Sequence, residues 1–328
     1  MTPILRAHRR AFLAATLLAA FAAAPAWAQG KYPERPITFI VPFAAGSATD
    51  QLARALGASI TADTKQAVIV DNKAGASGMM AAQAAARAPA DGYTVLISTN
   101  TTHAANEHLY KKLPYDPVKD FVPVTGLGKG GQVLVVRADA PYKSVADLLA
   151  KAKKEPGKLS FGSGSSSSRV AGEMFKQLSH TEILHVPYKS NPQALTDLLG
   201  GQIDMMITDT ATGVPQIKGG KVKALGVSTT QRIALLPDVP TIDEAGVKGY
   251  DMGYWFAAWV PANTPPAAVA RLRELLAAGT KSASAKSFYE STGTEAWTTA
   301  SSEELARFQA AEAQKWGKVI KSAGIEPE

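Results

Sequence analysis

At 328 residues and 46% hydrophobic content, the chain can bury one large core or two of ordinary size. Setting aside Arg6, Arg9 and Arg10 lowers Lys plus Arg from 35 to 32 against 28 acids, so the formal charge falls from +7 to about +4, too mild and scattered for a nucleic-acid footprint. There is no cysteine, which excludes disulfides and a thiolate metal site.

Those three arginines precede an Ala/Leu-rich run over residues 11–24, and Ala26-Trp27-Ala28 supplies the small-x-small pattern of a cleavage site before Gln29. The apolar run is short for a membrane span. Residues 1–28 are therefore expected to be a signal peptide, placing the mature chain in the periplasm of a two-membrane bacterium. Arg9-Arg10-Ala11-Phe12-Leu13 also resembles a twin-arginine signal, and both export routes stay open.

An apolar strand over 36–41 runs through Phe43, Ala45, Gly46 and Ser47 into a helix whose Leu52, Leu56 and Ile60 form an apolar stripe. Ser47 and Asp50 have the spacing of a capping pair, and Thr49 lies between them. A helix start after a small-residue loop is a candidate anion cradle or simply a turn, and the lysine of a phosphate-binding loop is missing. The unit recurs. A strand over 93–98 leads to Thr99, Asn100, Thr101, Thr102 and His103, then to a short helix with Glu107 and Leu109. Residues 159–161 lead to the serine-rich loop 162–168, with Ser163, Ser165, Ser166, Ser167 and Ser168, and a helix over 170–178. Residues 203–207 lead to a loop over 208–212 containing Asp209, and a short helix before Gly219.

Four strand-to-helix handovers bearing hydroxyl or amide groups predict an α/β fold with a ligand at the carboxyl ends of the strands. Two fall before residue 130 and two after it, so two lobes, each a sheet flanked by helices, would bring all four to one cleft. The β-rich run 132–137 after Gly130-Gly131 and the aromatic run 250–260 suit crossings between lobes. The expected division is 29–131 with 253–328 as one lobe and 132–252 as the other, hinged near 131 and 253. The strand over 222–228 belongs to the second lobe, and helices over 266–276 and about 303–320 are expected to pack on the first.

No G-x-S-x-G elbow is present. His103, His108, His180 and His185 lack metal-binding spacing with one another, His103 with Glu107 reads as a helix-surface pair, and His185 as a core or edge histidine. Asp204 and Asp209 do not suggest an acid and base couple. The expectation is a binding protein with no cofactor, metal or nucleic-acid partner, acting as a monomer.

Five segments carry a family resemblance: 42–50 (PFAAGSATD), 90–94 (ADGYT), 113–121 (LPYDPVKDF), 185–189 (HVPYK) and 236–241 (LPDVPT). In order and spacing they are similar to the signatures of the Bug family, the extracytoplasmic receptors of tripartite tricarboxylate transporters. The resemblance implies a two-lobed periplasmic binding protein of the Venus-flytrap kind, with a small carboxylic acid as ligand. It also implies a membrane permease with a large and a small integral subunit as partner. Carried over by position, Phe43, Ala45, Gly46, Ser47, Thr49 and Asp50 with Thr99, Asn100, Thr101 and Thr102 would hold a carboxylate through backbone amides and bridging waters. Ser163, Ser165, Ser166, Ser167, Ser168, Arg169 and Asp209 would contribute from the second lobe, and Trp255 and Phe256 would stand near the hinge.

Three residues depart from the family pattern. Ser47 replaces a common glycine, Arg169 a common histidine and Asp209 a common asparagine. Arg169 could pair with a second ligand carboxylate or point outward. Asp209 could cap the next helix, pair with Arg169, or face a donor group on the ligand. Two other readings share parts of this pattern: an exported hydrolase using one of Ser165 to Ser168, and a receptor that signals to a membrane kinase.

Overall fold

The computed structural model describes residues 32–328, so the expected export signal lies outside the described residues. Residues 35–328 form one compact unit. In chain order the unit runs β1 (Ile37–Val41), α1 (Ala48–Thr64), β2 (Val68–Asn72), α2 (Met79–Ala86) and β3 (Thr94–Thr99). A π-helical turn (Thr101–Ala105), α3 (Asn106–Leu109), β4 (Phe121–Arg137), α4 (Val145–Lys154), β5 (Ser160–Ser163), α5 (Ser166–Ser179) and β6 (Leu184–Pro187) follow. The remainder is α6 (Asn191–Leu199), β7 (Met205–Asp209), α7 (Thr210–Lys218), β8 (Val222–Val227), β9 (Gly253–Pro261), α8 (Pro266–Gly279), α9 (Ala283–Thr292), β10 (Glu295–Ala296) and α10 (Ser302–Ser322).

Serine opens many of the helices. The hydroxyls of Ser47, Ser144, Ser165, Ser282 and Ser301 each accept the amide three residues on, satisfying a donor that the first helical turn leaves unpaired. The loops expected over 162–168 and 208–212 are shorter than the sequence reading had them. Ser166, Ser167 and Ser168 are the first turn of α5, and Thr210 to Thr212 the first turn of α7, because Ser165 and Asp209 cap at once.

The sheet runs β2-β1-β3-β9-β4-β7-β5-β6, with β8 and β10 also paired to β4. The pairs of β1 with β2 and β3, and of β5 with β6 and β7, are parallel, as expected of strands joined through helices. The seventeen residues of β4 tie the two parallel groups together. From Phe121 to Gly131 it lies antiparallel to β9, ending at Gly131 opposite Gly253; from Gln132, opposite Asp209, it pairs with β7, and it also pairs with β8. Gly130 belongs there for steric reasons, since an added Cβ would fall on the Tyr254 ring.

Past the change of partner, β4 is buried on both faces. Leu134 and Val136 join the cluster holding Phe161, Phe175 and Tyr250, while Val133 and Val135 pack with Leu198, Met206 and Val214. The apolar stripe of α1 is fully buried at Leu52 and Leu56. The parallel strands and their following helices therefore hold their carboxyl ends at fixed positions.

Candidate ligand-binding site

A partly open cavity lies where these strand ends meet. At the end of β1, Ser47 caps α1 by accepting the Asp50 amide at 3.3 Å. The Asp50 carboxylate turns back, accepting the Gly46 amide at 2.9 Å, Arg54 Nε at 3.1 Å and Asn72 Nδ2 at 3.0 Å. Burial would raise the Asp50 pKa, but the bonds from Arg54, Gly46 and Asn72 outweigh it and hold the carboxyl below its ordinary value. Asp50 thus braces the loop, and Ser47, Ala48 and Thr49 are left to line the cavity. Gly46 does not line it: its φ of +81° explains the glycine, and an added Cβ would meet nothing within 4 Å.

At the end of β3, Thr99, Asn100 and Thr101 face the cavity and the Thr101 amide donates to Thr99 Oγ1 at 3.1 Å. Thr102 is turned away. Its hydroxyl lies 2.6 Å from Ser98 Oγ and 2.8 Å from His103 Nδ1, and its carbonyl accepts Tyr115 Oη at 2.7 Å. Asn100 reaches across to the start of α5, donating from Nδ2 to Ser167 Oγ at 2.8 Å, and Ser166 Oγ donates to Asn106 Oδ1 at 2.7 Å.

The start of α5 is tightly cross-bonded. Ser168 N donates to Ser165 Oγ at 3.2 Å while Ser165 N returns a bond to Ser168 Oγ at 3.1 Å. The Gly164 amide gives bonds to Ser168 Oγ at 3.1 Å and Asn191 Oδ1 at 2.9 Å. Asp209 caps α7, accepting Thr212 N on Oδ1 and Asn191 Nδ2 on Oδ2, both at 2.8 Å.

Of the residues expected at the site, Phe43, Ser47, Thr49, Thr99, Asn100, Thr101, Ser165, Ser167 and Asp209 are brought together around the cavity. Ala45, Gly46, Asp50, Thr102, Ser163, Ser166, Ser168 and Arg169 lie outside its lining. Arg169 donates to Glu328 Oε1 at 2.8 Å, which uses the guanidinium far along the chain. Ser163 Oγ sits 2.7 Å from His185 Nε2 between β5 and β6, with the His185 pKa pushed down to about 4 chiefly by burial, the Arg169 charge adding to it.

Sequence reasoning missed Ala48, Gln132, Gly164, Asn191 and Tyr254, all of which line the cavity. Strand alternation offers a partial signal: Tyr254 and Phe256 face the cavity, while Trp255 points to the other side of β9 and donates from Nε1 to Glu312 Oε2 at 2.9 Å. Gln132 heads an otherwise apolar run through Val136, a polar residue where burial predicts none.

No lysine or arginine stands among the described residues lining the cavity. Backbone donors are supplied instead by the first turns of α1 and α5, whose N1 and N2 amides have no partner within the helix. Helix starts bordering one small space suit a carboxylate. A curled mixed sheet flanked by helices, with the strand ends gathered on one polar cavity, is the fold of the periplasmic solute-binding proteins.

The chain belongs to the tripartite tricarboxylate transporter family of receptors: the profile described as "Tripartite tricarboxylate transporter family receptor" matches residues 52–325. A UPF0065 protein from the ttuE-ttuC' intergenic region of Agrobacterium vitis is 36% identical over 317 residues, 95% of this chain and 91% of that one. Among solved structures, the periplasmic binding protein BugD is 34% identical with a TM-score of 0.86, covering 90% of this chain and 100% of its own. Rpa4515 of R. palustris, solved with adipate, is 36% identical with a TM-score of 0.87 at the same coverage. No helix among the described residues is long and apolar enough to cross a membrane.

Proposed function

We propose that this receptor captures a small carboxylic acid in the cavity and hands it to the large and small membrane subunits of a tripartite transporter, without chemical change. The observation that carries the reading is the convergence of the first turns of α1 and α5 and the Thr99 to Thr101 turn on a cavity lined, among the described residues, by no lysine or arginine. Such a site holds a carboxylate through amide and hydroxyl donors. The adipate in the R. palustris relative agrees with that chemistry. Export through a signal cleaved near Ala28 would place the receptor where its permease can reach it.

The two lobes are proposed as 29–131 with 253–328, and 132–252. Support comes from β4, which exchanges β9 for β7 between Gly131 and Gln132, and from β9, which begins at Gly253. The hydrolase reading, which rests on Ser165 to Ser168, gains little support: the nearby His185 pairs with Ser163 at 2.7 Å, while Ser165 and Ser168 pair with each other at 3.1 Å, Ser166 with Asn106 and Ser167 with Asn100.

Calorimetric titration of the purified protein against a library of mono- and dicarboxylic acids, with mass spectrometry of each mixture afterwards, tests the reading. One or more acids should bind with a stoichiometry near one and be recovered intact. Product formation, or saturable binding confined to molecules without a carboxylate, would overturn it.

A further inference from the structure

Gln132 stands opposite Asp209 in the antiparallel register of β4 and β7, so the two side chains leave the sheet on one face with Cβ atoms about 5 Å apart. Both line the cavity. Gln132 is 1% exposed, and its Oε1 has no hydrogen-bond partner. Its position at this wall is fixed by the backbone, whose N–H donates to Ser228 Oγ at 2.7 Å and whose carbonyl accepts Ser228 N at 2.9 Å. A buried carbonyl oxygen left unpaired is costly, and one at the wall of a ligand cavity can be paired by the ligand.

The groups around it compound the effect. Asp209 Oδ2 accepts Asn191 Nδ2 at 2.8 Å and the Thr208 hydroxyl more distantly at 3.5 Å, whereas Oδ1 accepts Thr212 N at 2.8 Å and keeps room for a second donor. Nearby donors are already used within the protein: Gly164 N on Ser168 and Asn191, and the Tyr254 hydroxyl between those of Thr210 and Thr294 at 3.0 and 2.9 Å. This end of the cavity offers acceptors, whereas the starts of α1 and α5 offer donors.

We propose that Gln132 and Asp209 form the selective end of the cavity, which takes a carboxylic acid whose remote group donates hydrogen, an ammonium, hydroxyl or primary amide, and disfavours a second carboxylate. The proposal rests on the carboxylate-receptor reading above and names the solute class within it. A remote donor would pair the Gln132 oxygen and a free lone pair of Asp209 together. A remote carboxylate would set its own oxygens against both, with no lining cation to offset them. Gln132 thereby joins Asp209 as a specificity residue, placed by the strand register rather than by a loop.

Two matched series test this by calorimetry: butyrate, succinate, 4-hydroxybutyrate, 4-aminobutyrate and succinamate, and their longer counterparts hexanoate, adipate, 6-hydroxyhexanoate, 6-aminohexanoate and adipamate. In the series that fits, the best donor-terminated acid should bind at least about ten-fold tighter than the dicarboxylate of its length. Gln132→Leu should weaken that acid by about ten-fold while leaving the simple monocarboxylate within about two-fold. Gln132→Glu, close in shape, keeps the test alive should the leucine variant fail to melt cooperatively; it should improve the ammonium-terminated acid relative to the dicarboxylate. Tighter binding of the dicarboxylate, or equal weakening of every acid by Gln132→Leu, would overturn the inference while leaving the carboxylate reading standing. Failure of wild type to bind any acid of either series, with the protein shown folded, would overturn both.

Discussion

His103 lies 3.8 Å from the Trp259 ring in a stack and 4.9 Å edge-on from Phe121, with Nδ1 against Thr102 and Nε2 unpartnered. Complete burial pushes its pKa down from 6.5 to about 3, so the folded protein keeps it neutral. The unfolded chain binds that proton near 6.5, and the folded chain does not until about 3. Folding stability is therefore full above 6.5 and falls as the pH drops through this window, by as much as about 1.4 kcal/mol per pH unit for the one group. His103→Gln should lose that slope: in urea titrations at pH about 7, 5.5 and 4.5, the gap between wild type and variant should narrow toward acid. A constant gap would show that His103 is protonated in the fold or contributes nothing to acid sensitivity. At this scale the sequence was legible where a residue acts on near neighbours, as with Ser47 and Asp50. It was opaque where the partner is remote. Arg169 stayed open between facing a ligand and pointing outward because Glu328, 159 positions on, is not visible from its neighbours as its partner.

Among the elements, the start of α5 is the most strongly self-bonded of the cavity's edges. Ser165 and Ser168 satisfy each other's amides, and Asn191 fastens the Gly164 amide and the Ser168 hydroxyl beside them. Ser165→Ala should lower unfolding free energy by about 1 kcal/mol and Ser165→Thr by much less, since threonine can also cap. Denaturant unfolding of the two variants checks it, and equal losses would mean that the cap is not what Ser165 contributes. The strand-to-helix units were readable because an apolar strand followed by glycine, serine or threonine has few other physical solutions. Their exact joints were not, since a capping serine begins the helix a residue or two before its apolar stripe becomes visible. β2, α2, α4, α6, α9 and β10 went unplaced; the shortest of them and the alanine-rich α2 are decided by tertiary contacts. Gln132 escaped notice for another reason. Alternation assigns a side chain to a face of the sheet, but only the assembled fold says which face holds the cavity.

For the whole molecule, contacts between distant parts of the chain close the cavity. Asn100 bonds Ser167 at 2.8 Å, Asn106 bonds Ser166 at 2.7 Å, and Arg169 bonds Glu328 at 2.8 Å. With the lobes as proposed, all three join one lobe to the other. The double variant Ser166→Ala, Ser167→Ala should therefore have a larger radius of gyration than wild type without ligand, and a saturating carboxylic acid should shrink it again. Small-angle scattering that finds the same dimensions in both proteins, with and without the acid, would rule out closure through these contacts. The fold class itself was legible from the fourfold repetition of one unit; the change of strand partner along β4 falls beside the two glycines Gly130 and Gly131. How the two halves meet was not, because it depends on hydroxyl and amide pairs some sixty residues apart.

The cavity wall without a cation has a consequence for the medium in which such a receptor works. Dissolved ions weaken attractions that pass through water, and over about 8 Å at ordinary ionic strength they nearly abolish them. They cannot enter the space between a carboxylate and amides that touch it. A solute held this way would be gripped about as firmly in brine as in dilute buffer, and only its approach from outside would feel the salt.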